Sequence, residues 1–162
     1  MNTSSASYCI SPAVAADFLP IAALDREVWR DTPCGDVIPD GEHVWRIWCE
    51  HALVYVARTP EGELAGVILA FPGMLDVLCV HKVMVAEKHR GRGVGSLLFS
   101  ALLEEIDRRG RACFLTVSPE NHAAVALYRK WGFTQEQFVA GYYRETEHRL
   151  VLTRPVQKSP EK

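Results

Sequence analysis

The stretch Val83-Met84-Val85-Ala86-Glu87-Lys88-His89-Arg90-Gly91-Arg92-Gly93-Val94-Gly95-Ser96-Leu97-Leu98 constrains this chain more than any other. An apolar strand candidate runs into alternating glycines, followed by Val94, Leu97, Leu98, Ala101, Leu102 and Ile106 at helical spacing. A strand, a glycine loop and a helix N-terminus in succession leave several backbone N–H groups unpaired at the positive end of a helix dipole. That arrangement suits a phosphate or pyrophosphate, and glycine lets the backbone approach the anion without a Cβ in the way. Lys88, Arg90 and Arg92 add positive charge at the rim. A glycine turn with no ligand is the competing reading of the same residues.

Commoner loops of this kind do not fit. A P-loop needs G-x-x-x-x-G-K-[ST], and no lysine follows these glycines at that spacing. The dinucleotide fingerprint G-x-G-x-x-G fails because its last position falls on Ser96 or Leu98. The nucleophile elbow G-x-S-x-G fails because Ser96 is followed by Leu97 and Leu98.

The flanking sequence reads as a single α+β domain over residues 1–154, with a polar, frayed tail over 155–162. Tyr8 to Ser11 is a strand candidate, and Asp17 is expected to cap a helix carrying Phe18, Ile21, Leu24 and Val28 on one face. Asp31 to Gly41 reads as a loop, and Glu42 to His51 as a helix with Val44, Trp45, Ile47 and Trp48 inward. Leu53 to Thr59 and Leu64 to Phe71 bracket Pro60-Glu61-Gly62-Glu63 as a hairpin, and a further strand is expected from Leu75 to Val85. After the long helix come a strand at Ala112 to Val117, a helix capped by Asn121 and ended by Gly132, and strands near Thr134 to Val139 and Glu147 to Thr153. The order is β-α-α-β-β-β-α-β-α-β-β.

Charge and cysteine usage exclude several classes. Residues 1–80 hold 4 Lys/Arg against 11 Asp/Glu, whereas residues 81–162 hold 14 against 9, which points to two kinds of partner. A pI near 6.3 and the lack of a basic stripe argue against duplex nucleic acid. Apolar runs such as Ala65 to Phe71 are far shorter than the roughly 20 residues of a membrane span. Met1 to Ser7 lacks the pattern of a secretory signal, so a cytoplasmic location is expected. Cys9, Cys34, Cys49, Cys79 and Cys113 form no C-x-x-C pair and read as reduced and mostly buried; no structural metal is expected.

Arg90-Gly91-Arg92-Gly93-Val94-Gly95 resembles the R/Q-x-x-G-x-G/A loop of the GNAT superfamily of N-acetyltransferases. Asn121, Ala126, Leu127, Tyr128, Gly132 and Phe133 are similar to that family's N-x(4)-A-L-Y-x(3)-G-F segment. The resemblance extends over about residues 8–153. It implies a mixed, mostly antiparallel sheet splayed between the fourth and fifth strands, with acetyl-coenzyme A as co-substrate in the splay. The amides of Arg90, Gly91, Arg92, Gly93, Val94, Gly95 and Ser96 would hold the pyrophosphate, and the backbone of Val83, Met84 and Val85 the pantetheine arm. An amide near Val85 would polarise the thioester carbonyl. Asn121 would touch the cofactor, and Tyr128 would protonate the departing thiolate as general acid while also lying against the cofactor.

Two carboxylates used as bases elsewhere in the family are missing, since their positions hold Cys79 and Thr116. His81 shares a strand face with Cys79 and is the base candidate, directly or through water. The expected acceptor is a small cationic amine or a peptide N-terminus; Asp25, Glu27, Asp31, Asp36, Asp40 and Glu42 make the helical region acidic, which would favour a cationic amine or a basic peptide, with solvated loop charges as the competing reading. Trp29, beside Trp45 and Trp48, and Tyr142, in the turn Gly141-Tyr142-Tyr143, are the acceptor-binding candidates. For the tryptophans, core packing is the competing reading. A non-catalytic acyl-coenzyme A sensor on the same fold is the alternative function, and the resemblance also allows a homodimer.

Overall fold

The computed structural model describes residues 7–31 and 38–157. The elements are β1 (Cys9–Pro12), α1 (Phe18–Asp31), α2 (Glu42–His51), β2 (Leu53–Arg58), β3 (Leu64–Pro72), β4 (Val77–Val85), α3 (Val94–Arg108), β5 (Ala112–Val117), α4 (His122–Lys130), β6 (Gln135–Val139) and β7 (Arg149–Arg154). Their order is the expected one, and the strands form a seven-stranded sheet in the order β1-β2-β3-β4-β5-β7-β6. The β1/β2, β2/β3, β5/β7 and β6/β7 pairs are antiparallel, and β4/β5 is parallel. The parallel register runs from Val77↔Ala112 to Cys79↔Phe114, at the N-terminal ends of strands that continue to Val85 and Val117.

By internal contacts the chain divides into two units. The first takes the chain up to Phe71 together with Lys82 to Leu103; the second takes Pro72 to His81 and everything from Glu104 onward. β4 and α3 each pass from one unit to the other. In the first unit, α1 buries Ile21, Ala22 and Leu24, and α2 buries Trp45 and Cys49, with Met84 in the same core. In the second unit, Arg154 is buried, pairs with Asp107 and donates from Nε to the Trp131 carbonyl at 2.8 Å. Trp131 is the C-cap of α4, where a cation is favourable.

Several boundaries differ from expectation for identifiable reasons. Asp17 is expected to cap α1, but its carboxylate accepts from the Val14 amide at 2.9 Å, and Pro20, the third residue of α1, has no N–H to offer it. Asp17 belongs instead to a short 3₁₀ turn and pairs with Arg58. The strand expected from Leu75 starts at Val77. Met74 and Leu75 lie in a turn closed by the Gly73 amide on the Val77 carbonyl at 2.8 Å, and their side chains are exposed. Ile47 points outward from α2, while Trp45 is fully buried. Residues 155–157 form neither helix nor strand, and the tail from 158 lies outside the described residues. Among the described residues no helix is long and apolar enough to cross a membrane.

One glycine decides how α3 seats. A Cβ on Gly66 in β3 would meet the Met84 carbonyl oxygen at 2.8 Å and Val94 and Leu98 of α3 at 3.1 Å. The first turn of α3 therefore rests against bare backbone. Gly66→Ala is expected to lower unfolding stability by about 1–3 kcal/mol, as overpacking of a tight site does. Urea denaturation of the purified protein measures this, and an unchanged midpoint would show that α3 does not depend on the contact.

Candidate functional site

The glycine loop lies wholly in the first unit. Glu87–His89 form a single 3₁₀ turn after β4, and Gly91 and Gly93 then take φ of 71° and 81°, the left-handed region that glycine enters without penalty. A Cβ at either position would meet nothing within 4 Å, so open space lies beside the backbone there. α3 begins at Val94, so the amides of its first turn have no carbonyl of an earlier turn to bind. Val94 and Met84 are buried, Val83, Val85 and Gly95 are half-buried, and Arg92 and Ser96 are exposed. These features fit the pyrophosphate of a coenzyme A moiety.

The rim cations are more constrained than their sequence suggests. Arg90 folds back, its Nε donating to the Val85 carbonyl at 3.2 Å, with Asp31 at 4.0 Å from the guanidinium. Lys88 pairs with Glu63, whose carboxyl is thereby held below its usual range. His89 is buried: its Nδ1 lies 3.0 Å from the Tyr8 hydroxyl, while Nε2 has no hydrogen-bond partner and is 3.8 Å from Glu63. Trp29 at the end of α1 is 43% exposed, so it is available to an acceptor as Trp45 is not. The Trp48 ring stacks on Phe71 with centroids 5.8 Å apart.

The second unit holds the proton-transfer candidates. Tyr128 projects from α4 half-buried, its ring 5.9 Å from Phe133 and 6.3 Å from Trp131. The backbone beneath it is fixed, because its carbonyl accepts from the Trp131 and Phe133 amides at 3.0 and 3.1 Å. Gly132 makes this turn at φ 89°, and a Cβ there would meet the Arg154 Nε at 3.3 Å. Burial pushes the Tyr128 phenol above its usual pKa, so it stays protonated at neutral pH and can donate. Asn121 caps α4, accepting from the Ala124 amide at 3.1 Å, and is exposed.

His81 is exposed on β4, and Cys79 is half-buried. Burial pushes the Cys79 thiol up to about 11, so it is neither base nor thiolate at neutral pH. Thr116 on β5 lies with its hydroxyl 3.0 Å from that of Tyr143. Arg149 stacks over the Tyr143 ring at 5.1 Å, and Tyr142 packs edge-on against Tyr143 at 4.7 Å. Tyr142 is 39% exposed.

The acidic acceptor region changes character. Asp25 is fully buried and binds Lys82, as does Asp40, while Glu42 pairs with Arg26. Asp36 and Cys34 lie outside the described residues. Charge counting missed Lys82, because one lysine within an apolar strand carries no motif. Of the other described cysteines, Cys49 and Cys113 are buried and Cys9 is exposed; all four described cysteines are free. Among the described residues no group of three or more His, Cys, Asp and Glu side chains could hold a metal.

The sequence profile of the acetyltransferase (GNAT) family matches residues 21–133. The chain belongs to that family. An N-acetyltransferase of Methanocaldococcus jannaschii is 34% identical over 70 residues, covering 43% of this chain and 31% of that protein, so the chain spans about a third of its length. The [ribosomal protein bS18]-alanine N-acetyltransferase of Escherichia coli is 28% identical over 102 residues, 60% of this chain and 68% of that one. The crystal structure of the Escherichia coli S18-alanine enzyme superposes with a TM-score of 0.75 at 24% identity, covering 96% and 98% of the two chains. A structure of diaminobutyrate acetyltransferase from Paenibacillus lautus, with its substrate and coenzyme A, gives 0.72 at 20% identity, covering 95% and 99%. These two superpositions establish the GNAT fold.

Within this GNAT chain the thiols separate by environment. Cys49 and Cys113 are pushed up by burial to about 11 and about 12, in line with Cys79. Iodoacetamide at pH 8, mapped by mass spectrometry, is expected to modify Cys9 well before Cys49, Cys79 and Cys113. Early loss of Cys79 would contradict a buried, protonated thiol at that position.

Proposed function

We propose that this chain transfers the acetyl group of acetyl-coenzyme A directly to a primary amine, either a small amine or a peptide N-terminus, in a ternary complex. The observation that carries the reading is the pair of left-handed glycines opening onto the N-terminus of α3. Backbone amides from Gly91 to Ser96 bind the pyrophosphate, with Arg90 bracing the loop through the Val85 carbonyl. Val83, Met84 and Val85 offer backbone groups to the pantetheine arm, and Asn121 adds a polar contact. The bound thioester supplies an activated acetyl group and a thiolate leaving group. Tyr128 donates the proton that the leaving sulfur needs, its phenol kept neutral by burial. His81 takes the proton from the amine, directly or through water.

Trp29 and Tyr142 contact the acceptor, each exposed enough to do so. Relatives named for alanine N-acetylation and for diaminobutyrate acetylation support both acceptor classes. Residues up to 154 act as one cytoplasmic domain, without a metal. Neutral Cys79 and Thr116, where the family resemblance implies carboxylates, favour a second reading in which the fold binds acyl-coenzyme A without turnover.

Coenzyme A release with a panel of amines and N-terminal peptides separates the two readings. Turnover supports the enzyme; thermal stabilisation by acetyl-coenzyme A without turnover across the panel supports the sensor. Tyr128→Phe is expected to lower kcat by about a hundredfold while leaving coenzyme A affinity in place. An unchanged kcat would remove Tyr128 from its role.

A further inference from the structure

Lys82 is a charged residue on a buried strand face. Leu78, Val80 and Met84 of β4 are buried, and the two-residue period puts Lys82 on their side, its side chain 10% exposed. Its Nζ donates to both oxygens of Asp25 at 2.9 Å, to the Ile38 carbonyl at 2.9 Å and to Asp40 Oδ2 at 2.6 Å. Asp25 is 0% exposed and also accepts from Trp45 Nε1 at 3.0 Å and from the Asp40 amide at 2.8 Å. One carboxylate thus gathers α1, α2, β4 and residues 38–40. Ile38 has its carbonyl held inward by Lys82, while the residue is 59% exposed.

We propose that the Asp25–Lys82 pair is the positioning device of the acceptor site, pinning residues 38–40 to β4 so that Ile38 presents an apolar surface to the acceptor. This rests on the acetyltransferase reading, in which β4 supplies the backbone that holds the acetyl donor. It also narrows the acceptor class. Asp25 and Asp40 are engaged with Lys82 and Glu42 with Arg26, so these three acidic side chains serve internal cations. The favoured acceptor is an amine carried on an apolar group, such as a peptide N-terminus with an apolar first side chain. Lys82 and Asp25 act through residues 38–40 and touch no reacting atom.

The test uses Asp25→Asn with Lys82→Met in the full chain, since Lys82→Met alone would leave a buried carboxylate uncompensated. The double variant removes both charges yet keeps an oxygen for Trp45 Nε1. Expected are an acceptor KM raised about fivefold or more, kcat and coenzyme A affinity within about twofold, and faster hydrogen exchange at the Asp40 amide. Lys82→Arg, which retains the cation, should recover part of the acceptor KM. An unchanged KM overturns the positioning role, as does a KM change matched by equal losses in kcat and coenzyme A affinity. Slow Asp40 exchange in the double variant overturns the pinning itself. If the unaltered protein acetylates no amine, the functional reading falls and the acceptor role falls with it; turnover with an unchanged KM sinks the pair's role alone.

Discussion

The helical half of this protein is assembled around one buried negative charge. A carboxylate with no exposure, set among Ile21, Leu24, Trp45 and Met84, is tolerable only if cations and N–H donors surround it. Asp25 meets that demand with Lys82, Trp45 Nε1 and the Asp40 amide, each from a different part of the chain. Removing one partner from such a pair costs about 3–5 kcal/mol, which makes the arrangement close to all-or-none. It also orients β4. With Lys82 turned to the helical side, the strand period sends His81, Val83 and Val85 to the other, and Val85 Cγ2 would lie 3.9 Å from a Cβ on Gly95 of α3.

The geometry of the glycine loop depends on glycines at two levels. Gly91 and Gly93 satisfy a local requirement, a left-handed backbone before a helix, and a local requirement leaves a local pattern that is readable as R-G-R-G-V-G. Gly66 satisfies a distant one, the approach of the Met84 carbonyl and the α3 first turn to β3. Its only trace in the sequence is a glycine inside an apolar strand, a weak sign of close backbone approach. Gly132 belongs to both kinds: it ends α4 by a positive φ and clears space for Arg154, which caps the same helix end.

Element order and the glycine loop were legible because hydrophobic period and glycine placement act over short distances. What failed depended on partners. Met74 and Leu75 look like strand, yet the Gly73 amide and Val77 carbonyl close a turn around them. Asp17 looks like a cap, yet it accepts from the Val14 amide and pairs with Arg58. The acidity of residues 1–80 suggested an acceptor field. A formal charge count cannot see that Lys82, assigned by position to the basic half, neutralises Asp25 from within. The basic excess includes Arg90 and Lys88, which flank the glycine loop and are both tethered within the chain.

The lack of a carboxylate at Cys79 and Thr116 bears on the proposed reaction. Cys79 keeps its proton to about pH 11, and the Thr116 hydroxyl is engaged with Tyr143, so neither position can take a proton from an ammonium at neutral pH. An alkylamine with a pKa near 10 is only about 0.1% neutral at pH 7, and that fraction rises tenfold with each pH unit. An N-terminal α-amine, with a pKa near 8, is already about 10% neutral under the same conditions. A site without a fixed carboxylate base therefore gains about a hundredfold in competent substrate by using α-amines, or must recover the difference through His81. The exposed Ile38 and the lack of a carboxylate at Cys79 and Thr116 both fit the proposed acceptor, an α-amine carried on an apolar group, better than one drawn in by its charge.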